Sequence, residues 1–394
     1  MIQSRFQPVM QRSNNPLPAQ PFFSTPQQRL ALARQRYFEE GTRPSGLVSE
    51  GVIQSWTRCV QAHRDPFERI AFNPVTPSRI HSALARSQLM LQAAADDLTQ
   101  LEHTLAGTRC TAILTDAQGV VVHATQSAAD PGEQLLPLAR RIGVNVDEDH
   151  IGTGAPGVTI RTGLPCLVLG GEHFFGHMQM LHCAAAPIRD VRGQLAAVLD
   201  LTCEGRSFGF DAAAVVGLYA TTIENQLLGA QSNEHLVVHL QTAPALLGTP
   251  MEGLAGVDSH GRIAWVNNVA ARLLGVSQGE AGLRADEVFG LDTNRLIALS
   301  CEPAGATTHR LPNGLNVAMT ARLQARDGQS RPLTPSPRLS TTAPVVAGTL
   351  RDRDRDLIER TVAACGGNVS RAARQLGVSR GLVYRHLKRA APPA

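Results

Sequence analysis

Glycines divide residues 351–389 into three short helical segments, and no other stretch of the chain limits its own fold so tightly. Asp354 to Cys365 sets Leu357, Ile358 and Val362 at helical spacing, with charges on the other face. Gly366 and Gly367 stop that segment, and Asn368 suits the cap of the next, Val369 to Leu376. Ala372 and Ala373 give the second helix a small face that another helix can cross closely. Gly377-Val378-Ser379 makes the turn, Ser379 caps a third helix from Arg380 to Lys388, and Val378, Val383 and Leu387 fill the angle between them. Two short helices joined by a tight glycine turn form a helix-turn-helix. So small an array has little core of its own, so pairing into a homodimer is expected.

Charge agrees with this reading. From Arg351 onward there are ten Arg or Lys and four Asp or Glu, a net of +6, against +4 for the whole chain and hence −2 for the rest. A positive field confined to one short segment is the footprint of nucleic-acid binding; a solvated basic tail is the plainer reading of charge alone. The third helix exposes Arg380, Tyr384, Arg385 and Lys388, with Arg371, Ser379 and Arg389 flanking them. This set is expected to contact double-stranded DNA at an operator, base edges from the helix start and phosphates from the flanking cations. Lys388 is the single lysine, and Arg389 follows it. A phosphate-cradling loop needs Gly-x-x-x-x-Gly-Lys before Ser or Thr, so a Walker-type ATPase is excluded.

At 394 residues the chain is expected to form two or three domains, and no apolar run approaches the roughly 20 residues of a membrane helix. Seven scattered cysteines without a Cys-x-x-Cys pair suit a reducing cytoplasm. The Gln- and Pro-rich opening lacks the pattern of a signal peptide, and residues 1–46 are expected to be a disordered lead.

Between these ends the periodicity changes. A helical lead over 47–74 contains Ser55-Trp-Thr-Arg-Cys59, and Ile80 to Leu105 reads as one long helix. Strands follow at Thr111–Thr115 and Val120–His123 around the turn Asp116–Gly119, then at Leu164–Leu169, Met180–Pro187 and Gln194–Leu201, before a helix at Asp211–Leu228. Asp190–Gly193 turns the last two strands into an antiparallel hairpin. Strands in the middle and helices at both ends make an α+β domain. From Leu236 a second block opens, with strand, tight turn, strand and helix over Gly253–Gly275 and further strands near Thr307–Leu311 and Leu315–Leu323. Residues 326–349, rich in Pro, Ser, Thr and Arg, read as a flexible linker.

Several of these motifs carry resemblances. Asn368 to Lys388 resembles the Fis-type helix-turn-helix, with Gly381 standing where better helix formers are usual. Ser55–Cys59, Ile151-Gly-Thr-Gly-Ala155, Gly171-Glu-His-Phe174, Cys183–Ile188 and Gly193–Leu201 together resemble a GAF sensor domain over 47–230. Asp149-His150-Ile151 occupies the place where that family often has Asn, so the effector pocket departs there. Residues 236–325 resemble a PAS domain, and the whole order resembles sigma-54-dependent, Fis-family regulators of the acetoin-catabolism type, with the linker in place of their ATPase domain. The resemblance implies α+β sensor domains, GAF then PAS-like, followed by an all-α helix-turn-helix domain over 350–390. It also implies a cytoplasmic, non-enzymatic transcriptional regulator that answers a small-molecule effector without a cofactor. Thr153, His173, Phe174 and Cys183 are the expected effector-pocket residues.

His173, His177, His182 and Cys183 crowd one stretch, but Gly176 and the strand pattern favour a loop over a metal-binding helix, and no metal is expected. Cys166, Cys183 and Cys203 read as packed thiols, and Trp56 and Trp265 as core or interface residues. Competing readings are an architectural protein that bends DNA without sequence preference and a GAF-fold redox or metal sensor or enzyme using Cys183 and His173.

Overall fold

The computed structural model describes residues 25–126, 132–232, 235–280, 282–301, 306–324, 330–331, 361–362 and 369. The linker's remaining residues and Arg371, Ser379, Arg380, Tyr384, Arg385, Lys388 and Arg389 lie outside them; Thr361, Val362 and Val369 are helical.

The first part runs through α1 (Pro26–Arg34), α2 (Glu50–Gln61), α3 (Pro77–Arg86), α4 (Gln88–Leu105), β1 (Thr111–Asp116), β2 (Val121–Ala124), α5 (Leu136–Ala139), α6 (Glu148–Ile151), α7 (Ala155–Thr162), β3 (Cys166–Leu169), β4 (Leu181–Arg189), β5 (Leu195–Glu204) and α8 (Ala212–Gln231). Its five strands form an antiparallel sheet in the order β2-β1-β5-β4-β3. Alternation along β5 sends Ala197, Leu199, Leu201 and Cys203 toward α4 and α8, while Val198 joins Trp56, Val158, Phe174 and Cys183 in a second cluster on the opposite face. The sheet is thus covered on both sides.

The second part comprises β6 (Leu236–Gln241), β7 (Gly253–Val257), β8 (Ile263–Val266), α9 (Asn268–Leu274), α10 (Ala285–Phe289), α11 (Thr293–Cys301), β9 (Thr307–Arg310), β10 (Asn316–Gln324) and β11 (Ser330–Arg331). These strands make another antiparallel sheet, β11-β10-β6-β7-β8, with β9 also on β10. Leu228 of α8 and Val191 pack with Val237, Leu254 and Trp265 of this sheet. Asn225 of α8 accepts a hydrogen bond at 2.9 Å from Asn267, whose own carbonyl oxygen caps α9.

One turn chemistry is used three times. Asp116, Asp190 and Asp258 each accept two backbone N–H bonds from the turn that follows. Three residues on, Gly119, Gly193 and Gly261 take φ of 80°, 71° and 72°, a left-handed conformation that glycine adopts without strain. A register shift accompanies each hairpin, the bulge such turns carry.

Four expectations are corrected. Residues 26–39 of the expected disordered lead are helical: α1 passes into a wider π turn, Gln35–Glu39. Their order comes from distant contacts, since the Arg34 guanidinium donates to the carbonyls of Gly171 and His173 at 2.9 Å and lies 4.7 Å from the Phe38 ring centre. The 47–74 lead is helical only over α2. The helix foreseen over Ile80–Leu105 is broken at Ser87 into α3 and α4. Finally, Ser330 and Arg331 pair with β10, so the second sheet continues past residue 325 into the expected linker.

The buried Glu148 carboxylate meets Arg58 through two bonds of 2.6 and 2.7 Å. Arg58→Met is expected to lower stability by about 3 kcal/mol, because it strands a buried charge. Adding Glu148→Met is expected to recover most of that loss, read as the urea unfolding midpoint of the single and double variants.

Candidate functional site

The five motifs quoted above, dispersed over residues 55–201, meet on the sheet face covered by α2 and α7. Each side chain of Ser55–Cys59 has a task. Ser55 Oγ lies 2.7 Å from Thr153 Oγ1, Trp56 Nε1 donates to the Glu172 carbonyl at 2.7 Å, and Thr57 accepts from Tyr37 at 2.9 Å. Arg58 holds Glu148, and Cys59 Sγ lies 3.9 Å from Thr153 Oγ1. Ile151–Ala155 is a helix end followed at once by a helix start. Gly152 closes α6 with φ 65°, where an added Cβ would sit 2.6 Å from the Phe175 ring, and Gly154 is the first cap of α7. Thr153 is pinned between the two helices.

Behind this layer a polar chain crosses β4 and β5. His173 is fully buried, and its Nδ1 lies 2.9 Å from the Gly170 carbonyl oxygen, which can only accept. The proton therefore sits on Nδ1, leaving Nε2 as an acceptor 3.6 Å from Cys183 Sγ. Burial pulls His173 down to about 4, so the ring is neutral at pH 7. Burial, with the Asp200 charge nearby, pushes the Cys183 thiol well above its ordinary value, although Thr202 and the Ala155 N–H both donate to it. Both partners are neutral, so this pair lacks the thiolate of a nucleophilic dyad.

Thr202 Oγ1 stands 3.3 Å from Cys183 Sγ and 2.5 Å from Asp200 Oδ2. Asp200 pairs across the sheet with Ile113 and Ala185, and burial raises its carboxyl to about 7. Thr202 has one hydrogen to give. When Asp200 is protonated, it donates to Thr202, Thr202 to Cys183, Cys183 to His173 and His173 to Gly170. When Asp200 is ionised, Thr202 turns its hydrogen to the carboxylate and Cys183 loses a donor. Asp200 Oδ1 and Thr159 Oγ1, on the strand and helix that flank this face, are buried without a hydrogen-bond partner.

All four expected pocket residues are buried on or beside this face: Thr153 against Ser55, His173 against Cys183, and Phe174 edge-on to Phe38 and Phe175 at 5.6 and 5.1 Å. Ser55, Thr159, Asp200 and Thr202 were missed as site residues. A single Asp in the otherwise apolar run Leu195–Leu201 was the available signal, since a buried carboxylate is rare. A cavity of about 340 Å³ lies elsewhere, on the second sheet, among His239, Glu252, Thr320 and Arg322. Among the described residues no group of three His, Cys, Asp or Glu is placed to hold a metal ion, and no helix is long and apolar enough to cross a membrane.

Residues 25–221 match the family model described as the MimR N-terminal domain, and residues 349–389 match that of bacterial regulatory proteins of the Fis family. The acetoin catabolism regulatory protein of Cupriavidus necator is 29% identical over 242 residues, covering 60% of this chain and 36% of that protein. The propane 2-monooxygenase operon transcriptional activator MimR of Mycolicibacterium goodii is 31% identical over 185 residues, 44% of this chain and 29% of that protein. The chain thus spans about a third of the length of these relatives. Among solved structures, the E. coli DhaR(N)–DhaL complex gives a TM-score of 0.42 at 17% identity, covering 72% of this chain and 100% of that one.

Asp200 keeps its proton to about pH 7 when folded and only to about pH 4 when unfolded. Between those values the folded state binds more protons, so this group makes stability fall as pH rises. His173, lowered to about 4 from an ordinary value near 6.5, acts with the opposite sign over nearly the same range. Asp200→Asn removes only the first contribution. Relative to the wild type, its unfolding free energy is expected to gain about 3–4 kcal/mol between pH 4 and pH 7. Urea titrations at half-unit pH steps check this, and parallel profiles for the two proteins would show that Asp200 is not the titrating group.

Proposed function

The chain belongs to the family defined by the MimR N-terminal domain, and from that premise we propose that it is a DNA-binding transcriptional regulator whose first sheet domain, of GAF type, senses a small effector. The observation that carries the DNA-binding half is the Fis-family match over 349–389, coinciding with the segment of net charge +6 from Arg351 onward. Arg380, Tyr384, Arg385 and Lys388 enter the major groove of an operator, while Arg371, Ser379 and Arg389 hold its phosphates. The second sheet, of PAS type, joins sensor to linker, and the chain acts as a homodimer in the cytoplasm. With Lys388 as its single lysine, it works without ATP hydrolysis.

The effector enters the face between α7 and β5, beside Thr153, His173, Phe174 and Cys183. Asp200 Oδ1 and Thr159 Oγ1 offer it two buried polar atoms with no other partner. Apolar, uncharged surroundings favour a short neutral molecule that can hydrogen-bond. Relatives named for acetoin catabolism and for a propane 2-monooxygenase operon point to compounds of that size. Binding changes the packing of α7 against the sheet and shifts the dimer between DNA-competent and incompetent arrangements.

Capture of genomic fragments by the purified full chain, repeated across a salt series, tests the reading. Specific fragments are expected to be enriched. The Arg385→Ala, Lys388→Ala double variant is expected to lose about 1–3 kcal/mol per contact and with it the preference for those fragments. Steep salt dependence without fragment preference would favour an architectural role, and no binding at low salt would sink the proposal.

A further inference from the structure

Cys110 and Cys203 lie outside the motifs discussed so far. The β1–β5 register begins with Thr111 paired to Thr202, and Cys110 and Cys203 are the next residues along the two chains at that end of the sheet. Both side chains belong to the same buried cluster, on the α4 and α8 side of the sheet, and each thiol acts on the ionisation of the other. Cys203 also lies 3.5 Å from the Arg206 carbonyl, and Cys110 3.7 Å from the Thr108 carbonyl. Directly opposed residues of antiparallel strands have Cα atoms about 4.5–5.5 Å apart, within the span a disulfide bridges.

We propose that Cys110 and Cys203 are a redox-active dithiol that peroxides or small disulfides oxidise to a cross-strand disulfide. With hydrogen peroxide, the Cys110 thiolate attacks one oxygen, the O–O bond breaks, and Cys110 becomes a sulfenic acid while hydroxide leaves. The Cys203 sulfur then attacks that sulfur, the S–O bond breaks, and water departs. In sum two thiols and one peroxide give one disulfide and two waters. The neighbouring Cys203 thiol favours the Cys110 thiolate against the cost of burial, and Arg206 supports it while Glu133 opposes it. Arg109, left-handed at φ 57°, turns the loop that brings Cys110 to the end of the sheet.

The location gives the bond a consequence. Cys110 follows the loop that leaves α4, and Cys203 is the penultimate residue of β5, whose exit leads to α8. α4 and α8 pack on each other across the same sheet face. A disulfide there ties the root of one helix to the root of the other, and α8 runs on into the second sheet.

The test uses the reduced full chain, treated under native conditions with hydrogen peroxide or diamide, alkylated, digested with trypsin and analysed without reduction. Each thiol falls on its own tryptic peptide, residues 110–140 and 193–206. The expected result is a linked pair of these peptides and the loss of two of the seven alkylatable thiols. Cys110→Ser, or Cys110→Ala where the serine variant does not fold, is expected to leave Cys203 alkylatable. Both thiols still alkylated in the wild type, Cys110 carried to a sulfinic acid beside a free Cys203, or a link formed only in urea would each overturn the proposal.

Discussion

The Glu148 side chain is 5% exposed, and Arg58 meets both of its carboxylate oxygens. That pairing fixes α2 over α6, and the surrounding architecture inherits the constraint. With α2 placed, Ser55 reaches Thr153, and Trp56 reaches the carbonyl of Glu172. Gly157 completes the fit, since an added Cβ would stand 2.8 Å from the Glu148 backbone nitrogen. Helices and loops far apart in sequence therefore hold one position over the sheet. α1 joins the same structure through Arg34, whose partners are the carbonyls of Gly171, His173 and Phe174.

The β4–β5 hairpin links this face to the second sheet. Its body carries Cys183, Asp200 and Thr202, and its turn is gripped from α8. Glu224 accepts the Arg189 N–H at 2.8 Å, and Gln231 accepts the Val191 N–H at 3.1 Å. Beyond the turn, Val191 joins the cluster of Leu228, Val237, Leu254 and Trp265. Asn225, two turns of α8 before Ser232, holds Asn267. The hairpin cannot shift without loading α8, and α8 cannot shift without disturbing the sheet that follows. That is a contiguous route of packed groups and hydrogen bonds.

Local chemistry was legible in the sequence. The Asp-x-x-Gly turns announce themselves because aspartate binds its own following N–H groups and glycine takes the left-handed position, so the hairpin at 190–193 is legible from its residues alone. α8 was legible too, with Asp211 capping it through the Ala214 N–H. The order of residues 26–39 was not legible, because it depends on Arg34 finding carbonyls some 137 to 140 residues away. The break at Ser87 was hidden for a related reason: apolar spacing continues across it, and Ala83 and Met90 pack in one cluster on either side. In the candidate site, His173 and Cys183 stood out as unusual residue types. Thr202 and Thr159 did not, since threonine in strands and helices is ordinary until its burial, and for Thr159 a missing partner, single it out.

Asp200 shows why burial, more than residue type, determines what this face can do. On a surface its carboxyl would be ionised and would repel nothing but anions. Between Ile113 and Ala185 the charged form has lost its water, and the proton returns near neutrality. That proton gives direction to the hydrogen bonds through Thr202, Cys183 and His173. Oδ2 is committed to Thr202, so Oδ1 is the atom left to a ligand. A neutral donor reaching Oδ1 favours the ionised carboxyl, and an acceptor at the same place favours a proton moved to Oδ1. Either choice turns the hydrogen of Thr202 to Oδ2 and removes a donor at Cys183 beside the start of α7. A neutral effector seated at Oδ1, as proposed, would thereby change how α7 is held against the sheet.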